Sequence, residues 1–229
     1  MAQVRLDSDE RRQDIVETAL PLFARKGFMR TTTKEIAEAA GISEALVFKH
    51  FPSKAALYEE ILRQGCQADP ALDRLNALQP STATLIAMTH FMVYHFVLGA
   101  FDVEDKDTRS RLMVTSFLED GEFARLVFDH IHGKAFGKFE ACLEAAAKAG
   151  DLVTLPIAPQ NRFWFGHHVA AMLAQVRLPG RPIAPYSGDT NGLIKQAVWF
   201  VLRGIGLKDE VIAGQYNPEA LSIFLGTTA

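Results

Sequence analysis

The amino-acid sequence predicts an all-α protein in which a small N-terminal helix-turn-helix domain precedes a larger helical domain. Apolar residues recur at three- and four-residue intervals along most of the 229 residues, which is the period of one buried helix face. No segment alternates apolar and polar residues over the length of a strand. Near the N-terminus, two short helical patterns are joined by a turn that contains glycine, which is typical of a helix-turn-helix.

The first helix is predicted to begin near Asp9 and to end before Gly27. Arg25 and Lys26 precede this glycine, and their positive charges suit the negative end of the helix dipole. Its buried face consists of Ile15, Val16, Ala19, Leu20, Leu22 and Phe23.

The two short helices have recognisable N-terminal caps. Thr32 and Glu35 have the spacing of a capping box, so the second helix is predicted to begin there and to end at Gly41. Ser43 is placed to cap the third helix, and Pro52 stops it. Together with the first helix, these two short helices predict a three-helix, homeodomain-like arrangement.

The proline after the third helix marks the predicted domain boundary. Residues 1–52 form the predicted helix-turn-helix domain, and residues 53–229 form the larger helical domain. Ser53 is expected to cap a fourth helix, from Lys54 to about Cys66. Glycines and prolines then separate predicted helices near 81–98, 106–118, 121–148, 160–176, 190–206 and 218–225, with a loop at about 178–189.

Composition and charge are those of a globular protein that needs no covalent cross-links. The net charge is −3, and the two cysteines, Cys66 and Cys142, exclude a disulfide framework. The longest apolar run, residues 84–98, contains two histidines and is shorter than the about 20 residues that span a bilayer. Because no secretory leader pattern is present, the expected location is the cytoplasm, and no cofactor, metal or membrane partner is expected.

The first turn of the third helix carries short side chains that can meet base edges in a major groove. The hydroxyl of Ser43 can pair with several bases, the carboxylate of Glu44 can accept from cytosine, and the methyl group of Ala45 can contact thymine. Each residue alone is explained equally well as a cap or a surface side chain, but the set predicts DNA contact. The predicted phosphate clamp consists of Thr32, Thr33, Lys49, His50 and Lys54.

Residues 31–54, which read TTTKEIAEAAGISEALVFKHFPSK, resemble the DNA-binding signature of the TetR family of bacterial repressors. The resemblance covers about the first 60 residues, and residues 193–205 are similar to the family's last dimerisation helix. It implies a homodimeric, ligand-responsive regulator, a repressor released from a palindromic operator by a hydrophobic small molecule. The flanking positions that match are Arg12, Ile15, Ala19, Phe23, Gly27, Phe28, Leu57 and Tyr58.

Two residues depart from the family's usual pattern. Phe48 stands where tyrosine is usual, which keeps ring packing against the sugar-phosphate backbone but loses a hydroxyl donor. Glu44 stands where lysine, arginine or a small residue is common. Because phosphates repel a carboxylate, Glu44 is expected to read a base edge or to face solvent.

The last two long helices are candidates for the dimer interface that the resemblance implies. A two-fold dimer would present two recognition helices about 34–36 Å apart to a palindromic site. The apolar stripe on these helices forms either this interface or the intramolecular core. Its residues are Phe163, Trp164, His167, Ala171, Ala174, Val198, Val201, Leu202 and Ile205.

The sensing region is predicted within residues 81–148, which are rich in aromatic residues and methionine. Such side chains line adaptable apolar pockets, although they also build ordinary cores. The implied effector is a mainly hydrophobic small molecule. The predicted ligand-binding residues are Phe91, Tyr94, His95, Met113, Phe117 and Phe128.

Two other classes of protein were weighed against a regulator. An enzyme is disfavoured because no nucleophile elbow, zinc-protease motif or dinucleotide-binding glycine motif occurs. A helical protein-interaction module that keeps the helix-turn-helix without binding DNA is the stronger alternative. Residues 1–64 contain ten basic and ten acidic residues, so their bulk charge does not favour DNA.

Overall fold

The computed structural model describes residues 7–65, 70–98, 106–179, 181 and 183–226. Within these ranges the chain is helical, and its one extended pairing is an isolated antiparallel bridge between Leu152 and Leu207. The predicted all-α fold class is therefore confirmed. The helices are α1 (Ser8–Arg30), α2 (Thr33–Ala39), α3 (Glu44–His50), α4 (Lys54–Gly65), α5 (Pro70–Ala77), α6 (Thr82–Leu98), α7 (Lys106–Leu118), α8 (Glu122–Ile131), a π-helical turn (His132–Phe136), α9 (Gly137–Lys148), α10 (Pro159–Gln175), α11 (Thr190–Ile205), α12 (Asp209–Gln215) and α13 (Pro218–Leu225).

The described residues form two compact units. The first unit contains α1–α4 together with α7 and α8 as far as Asp129, and the second contains α5, α6, the π-helical turn and α9–α13. The first unit therefore extends beyond residues 1–52. The reason is that α7 packs along α1, a contact between distant segments that no local pattern indicates.

The core of the first unit is built on the apolar face predicted for α1. Ile36 of α2 and Val47 of α3 pack against this face, as do Leu57 of α4 and Leu112 of α7. The predicted face is thus confirmed, and its fully buried members include Ile15, Ala19, Leu20 and Phe23.

Helix α1 continues past the glycine at which it was predicted to end. Gly27 has φ +80° and ψ 169°, so the helix is kinked there and resumes as far as Arg30. This backbone conformation is open to glycine and strained for other residues. The sequence therefore located the break in helical geometry but not the end of the helix.

Helix α6 lies at the centre of the second unit, packed by α9, α10 and α11. It is the apolar run of residues 84–98, and Val93 is among its fully buried side chains. Cys142 on α9 is a buried free thiol in the same core, whereas Cys66 lies outside the described residues. No helix of the described ranges is long and apolar enough to cross a bilayer.

The helices that follow α4 differ from the prediction in two respects. The helix expected over 121–148 is divided, because the π-helical turn separates α8 from α9. Helices α5 and α12, which are 8 and 7 residues long, were not predicted.

Candidate nucleic-acid interface

Helix α2 begins with the predicted capping box. Thr32 Oγ1 accepts a hydrogen bond from the Glu35 backbone N at 3.2 Å, and Glu35 Oε2 accepts from the Thr32 backbone N at 3.0 Å. Lys26 Nζ donates to Glu35 Oε1 at 2.6 Å, and this bond lowers the pKa of Glu35 to about 2. The start of α2 is thereby fixed to the end of α1.

Helix α3 presents its predicted contact residues to solvent. Ser43 caps it by accepting from the Leu46 backbone N at 3.2 Å, and Val47 on the inner face is 1% exposed. The first turn of the helix therefore faces outward on a buried anchor, as a recognition helix must. The exposed residues around α3 are Ser43, Glu44, Ala45, Phe48 and Lys49, and the side chain of Phe48 is 46% exposed.

The starts of the two short helices are joined by a hydrogen bond that sequence reasoning missed. Thr33 Oγ1 donates to Glu44 Oε1 at 2.5 Å. Both residues were predicted to contact DNA, but as independent contacts. Their pairing depends on the angle between α2 and α3, which spacing along the chain does not specify.

The C-terminal end of α3 is held by Arg12 of α1. Arg12 Nη1 donates to the His50 backbone O at 2.8 Å, Nη2 donates to Glu60 Oε2 at 3.0 Å, and the guanidinium lies 4.3 Å from the centre of the Phe51 ring. Arg63 also pairs with Glu60, and chiefly this bond lowers the pKa of the buried Glu60 carboxyl to about 2. Sequence reasoning noted Arg12 within the family resemblance and gave it no role.

His50 is a weak candidate for a charged phosphate contact. Burial and then the positive charges of Lys49, Arg12 and Arg11 lower the pKa of the His50 imidazole below its usual value. It is therefore mostly neutral at pH 7, and it can reach a phosphate only as a hydrogen-bond donor.

Lys54, a member of the predicted phosphate clamp, is bound to the end of α1. Its Nζ donates to the backbone O of Phe28 at 2.5 Å and of Thr31 at 2.9 Å, and it lies 4.1 Å from the centre of the Phe28 ring. Burial lowers the pKa of this half-buried ammonium group. Lys54 therefore caps carbonyl groups at the end of α1, and its contact with a phosphate stays a prediction.

The predicted ligand-binding residues are divided between the two units. Phe91 and His95 are buried on α6 with ring centres 3.9 Å apart, and Tyr94 lies beside them, half-buried. In the first unit, Phe117 and Phe128 have ring centres 6.0 Å apart, and Met113 packs against the core. The six residues thus do not line a single cavity within either unit.

Most of the predicted interface stripe is core of its own chain. Six of its residues are buried in the core of the second unit, and the stripe faces inward because its side chains pack with α6 and α9. The prediction that these six meet a partner chain is corrected accordingly. The buried six are Phe163, His167, Val198, Val201, Leu202 and Ile205, whereas Trp164, Ala171 and Ala174 are half-buried.

Three large apolar side chains instead face outward on the same two helices. Phe165 and Met172 of α10 are 58% and 53% exposed, and Phe200 of α11 is 66% exposed. The two helices pack closely at Gly166, where an added Cβ would lie 3.0 Å from Val201 Cγ1. Sequence periodicity could not separate this face from the core stripe, because both faces are apolar.

This geometry defines a helix-turn-helix protein with an exposed, firmly anchored recognition helix. A family model described as bacterial regulatory proteins of the tetR family matches residues 15–61. The regulator RutR of Escherichia coli strain K12 is 32% identical over 154 residues, which cover 66% of this chain and 68% of RutR. The chain belongs to the TetR family of bacterial regulatory proteins.

Other relatives match over shorter stretches or in fold alone. The uncharacterised regulator YvkB of Bacillus subtilis strain 168 is 48% identical over 50 residues, which cover 22% of this chain and only 26% of YvkB. NalD of Pseudomonas aeruginosa, a secondary repressor of the MexAB-OprM multidrug efflux pump, superposes with a TM-score of 0.62 at 22% identity, over 89% of this chain and 100% of NalD. AibR, solved with isovaleryl coenzyme A and operator DNA, gives a TM-score of 0.59 at 17% identity, over 83% of this chain and 97% of AibR.

Proposed function

We propose that this protein is a sequence-specific DNA-binding repressor that acts as a homodimer in the cytoplasm and is released from its operator by a hydrophobic small molecule. The observation that carries the proposal is the exposed face of α3, which is anchored on its inner side by Val47 and at its C-terminal end by Arg12. An outward helix held in this way can enter a major groove without rearrangement of the first unit. The protein is not proposed to be an enzyme.

In the proposed complex, the first turn of α3 meets base edges, and exposed side chains on both sides meet phosphates. Ser43, Glu44 and Ala45 are placed at the bases, and Thr32, Lys49 and His50 at the backbone. Phe48 packs its exposed ring against the sugar-phosphate chain. Lys54 is left out of this set because its ammonium group binds carbonyls of α1.

The proposed dimer forms through the outward face of α10 and α11, which carries Phe165, Met172 and Phe200. Exposed apolar side chains on adjacent helices are typical of an interface, because a monomer gains nothing from leaving them in water. A two-fold dimer places two α3 helices on the two halves of a palindromic operator.

The proposed effector is hydrophobic and binds the second unit near Phe91, Tyr94 and His95. The related AibR was solved with both isovaleryl coenzyme A and operator DNA, which supports an acyl or similar apolar ligand. Effector binding favours a form of the dimer with lower affinity for DNA, so DNA binding and ligand binding oppose each other. Contacts of the effector with Met113, Phe117 and Phe128 stay a prediction. NalD, which has a similar fold, is a repressor, and this supports repression rather than activation of transcription.

Electrophoretic mobility shift tests this proposal, with DNA from upstream of the protein's own gene and unrelated DNA of equal length, over a series of salt concentrations. A specific complex that weakens steeply with salt is expected. Ala45→Asp places a negative charge on the exposed first turn of α3 and should abolish the complex, whereas Ala39→Asp, at an exposed alanine of α2, should keep it. If the wild-type protein forms no such complex, the proposal fails and the interaction module is favoured.

A further inference from the structure

The hydrogen bond between Thr33 and Glu44 leaves one carboxylate oxygen available at the surface of α3. Thr33 Oγ1 donates to Glu44 Oε1 at 2.5 Å, and Glu44 Oε2 has no hydrogen-bond partner within the described ranges. Glu44 is exposed and Thr33 is half-buried. The threonine therefore binds one oxygen of the exposed carboxylate and leaves the other available for a partner.

We infer that Thr33 positions Glu44 so that the free oxygen reads the amino group of a cytosine in the operator. The inference rests on the proposed docking of α3 in a major groove. It also gives Thr33 a role different from the phosphate contact predicted from the sequence. A hydroxyl has a single hydrogen to donate, and in this structure Glu44 receives it.

The chemistry of a carboxylate selects cytosine among the four bases. An ionised carboxylate only accepts hydrogen bonds, and the major groove offers donors only at cytosine N4 and adenine N6. Guanine N7 and O6 and thymine O4 are acceptors, which repel it. Adenine places the acceptor N7 beside N6, so cytosine is the base that presents a donor on its own.

Fixing the carboxylate matters because an exposed glutamate otherwise adopts several rotamers. A side chain that must be ordered on binding loses part of the energy gained from its contact. With Thr33 holding one oxygen, the other is already in place when DNA arrives, so discrimination against the wrong base is larger. Loss of the threonine hydroxyl should therefore weaken the base preference even though Glu44 remains.

The test is selection of binding sites from a randomised DNA pool by the full-length protein, followed by affinity measurements on single-base variants of the selected site. Wild type should prefer cytosine at one position in each half-site by about tenfold. Glu44→Ala should lose this preference, and Glu44→Gln should move it to adenine, because an amide can pair with N6 and N7 together. Preferences at the other positions should stay unchanged.

The positioning role is tested with a matched pair of variants at Thr33. Thr33→Val removes the hydroxyl at nearly constant shape and should lose most of the cytosine preference, while Thr33→Ser keeps the hydroxyl and should retain it. Affinity for unrelated DNA and the thermal midpoint should match wild type for both. If Thr33→Val instead lowers affinity for every sequence alike, Thr33 contacts phosphate and the inference is wrong.

Different results contradict the base-reading role of Glu44 and the proposed function. If wild type selects an operator but Glu44→Ala selects the same sequence, the base-reading inference is overturned and the proposed function stands. If wild type selects no sequence at all, the proposed function is overturned and this inference falls with it.

Discussion

The carboxylate of Glu119 occupies the space that a side chain on Gly27 would need, because an ideal Cβ at this glycine would lie 1.9 Å from Glu119 Oε1. The Met29 backbone N approaches Glu119 Oε2 at 3.5 Å, and Arg30 Nε lies 4.0 Å from Oε1. The residue following α7 is thus fixed over the kink of α1, immediately before the helix-turn-helix begins.

Gly27→Ala should destabilise the first unit by about 1–3 kcal/mol, chiefly because φ +80° and ψ 169° strain any residue other than glycine, and it also displaces the Glu119 carboxylate. Gly41→Ala is the matched control, because Gly41 also has positive φ but an added Cβ meets nothing within 4 Å. Urea denaturation should give a smaller loss for the control. Glu119→Ala in the Gly27→Ala background should recover part of the loss, and equal losses at the two glycines would contradict the steric part of the argument.

Arg12→Ala should both destabilise the protein and weaken operator binding, because it releases the end of α3 and one partner of the buried Glu60. We expect the free energy of unfolding to fall by about 1–2 kcal/mol. The affinity for the operator should fall about tenfold, because α3 becomes less ordered. Arg125→Ala is the control, since Arg125 forms an exposed pair with its helix neighbour Glu122 at 2.7 Å and its loss should cost less than about 0.5 kcal/mol. Unchanged operator binding by Arg12→Ala would remove this arginine from the functional site.

Lys54→Met should affect protein stability, whereas Lys49→Met should affect the salt dependence of DNA binding. Lys54→Met removes two hydrogen bonds to the end of α1 and should cost about 1–2 kcal/mol of stability, with the salt dependence of DNA binding unchanged. Lys49→Met removes an exposed charge on α3 and should reduce the salt slope by about one, with little change in stability. A reduced slope for Lys54→Met would restore Lys54 to the phosphate clamp.

The stability of the second unit should fall between pH 7 and pH 5. Burial lowers the pKa of His90 and of His167 to about 4, whereas an unfolded histidine titrates near about 6.5. The unfolded chain then binds more protons between these values, so stability is fully present above about pH 6.5 and is lost as the pH falls toward 4. Each of these two histidines should lower the free energy of unfolding by roughly 2 kcal/mol between pH 7 and pH 5.

Thermal unfolding at several pH values measures this dependence. His90→Gln can keep a hydrogen bond to the Tyr216 hydroxyl, which lies 3.1 Å from His90 Nδ1, but it cannot titrate, so its curve should be flatter. His168→Gln is the comparison variant, because burial lowers the pKa of the exposed His168 less than it lowers that of His90, so its curve should stay closer to wild type. A wild-type midpoint that is constant over this range would show that neither buried histidine must remain neutral.

How much of this structure the sequence could predict depends on how local each feature is. The capping boxes and caps at Thr32, Ser43 and Ser53 are formed within three residues, and all three were predicted and are confirmed. The apolar face of α1 was also predicted, because a single helical period determines it.

Features that depend on contacts between distant segments were missed. Glu119 over Gly27, Arg12 at the end of α3 and Lys54 at the end of α1 each join residues far apart in sequence. Lys54 illustrates why: an isolated lysine at a helix start looks the same in sequence whether it meets a phosphate or a carbonyl. The direction of the stripe on α10 and α11 was ambiguous for a similar reason, since two faces of these helices are apolar.

The outward face of α10 and α11 is the proposed dimer interface, and a charge placed on it should weaken dimerisation. Gly166 and Val201 form the close contact between these helices. Phe165 immediately precedes Gly166, Phe200 immediately precedes Val201, and both phenylalanines are more than half exposed. Phe200→Asp would place a charge in the centre of the proposed interface and should weaken dimerisation by about 30-fold or more. Its helical circular dichroism should match wild type, because the substituted side chain is not part of the core.

Ile223→Asp is the matched control for the dimer, since Ile223 is 73% exposed and lies on α13 rather than on the two candidate helices. Sedimentation equilibrium should give a monomer for Phe200→Asp at a concentration at which wild type and Ile223→Asp are dimers. The reverse result would move the interface to α13. A dimer for both variants would mean that the partner chain contacts neither helix face, and Phe165 and Met172 would then need another explanation for their exposure.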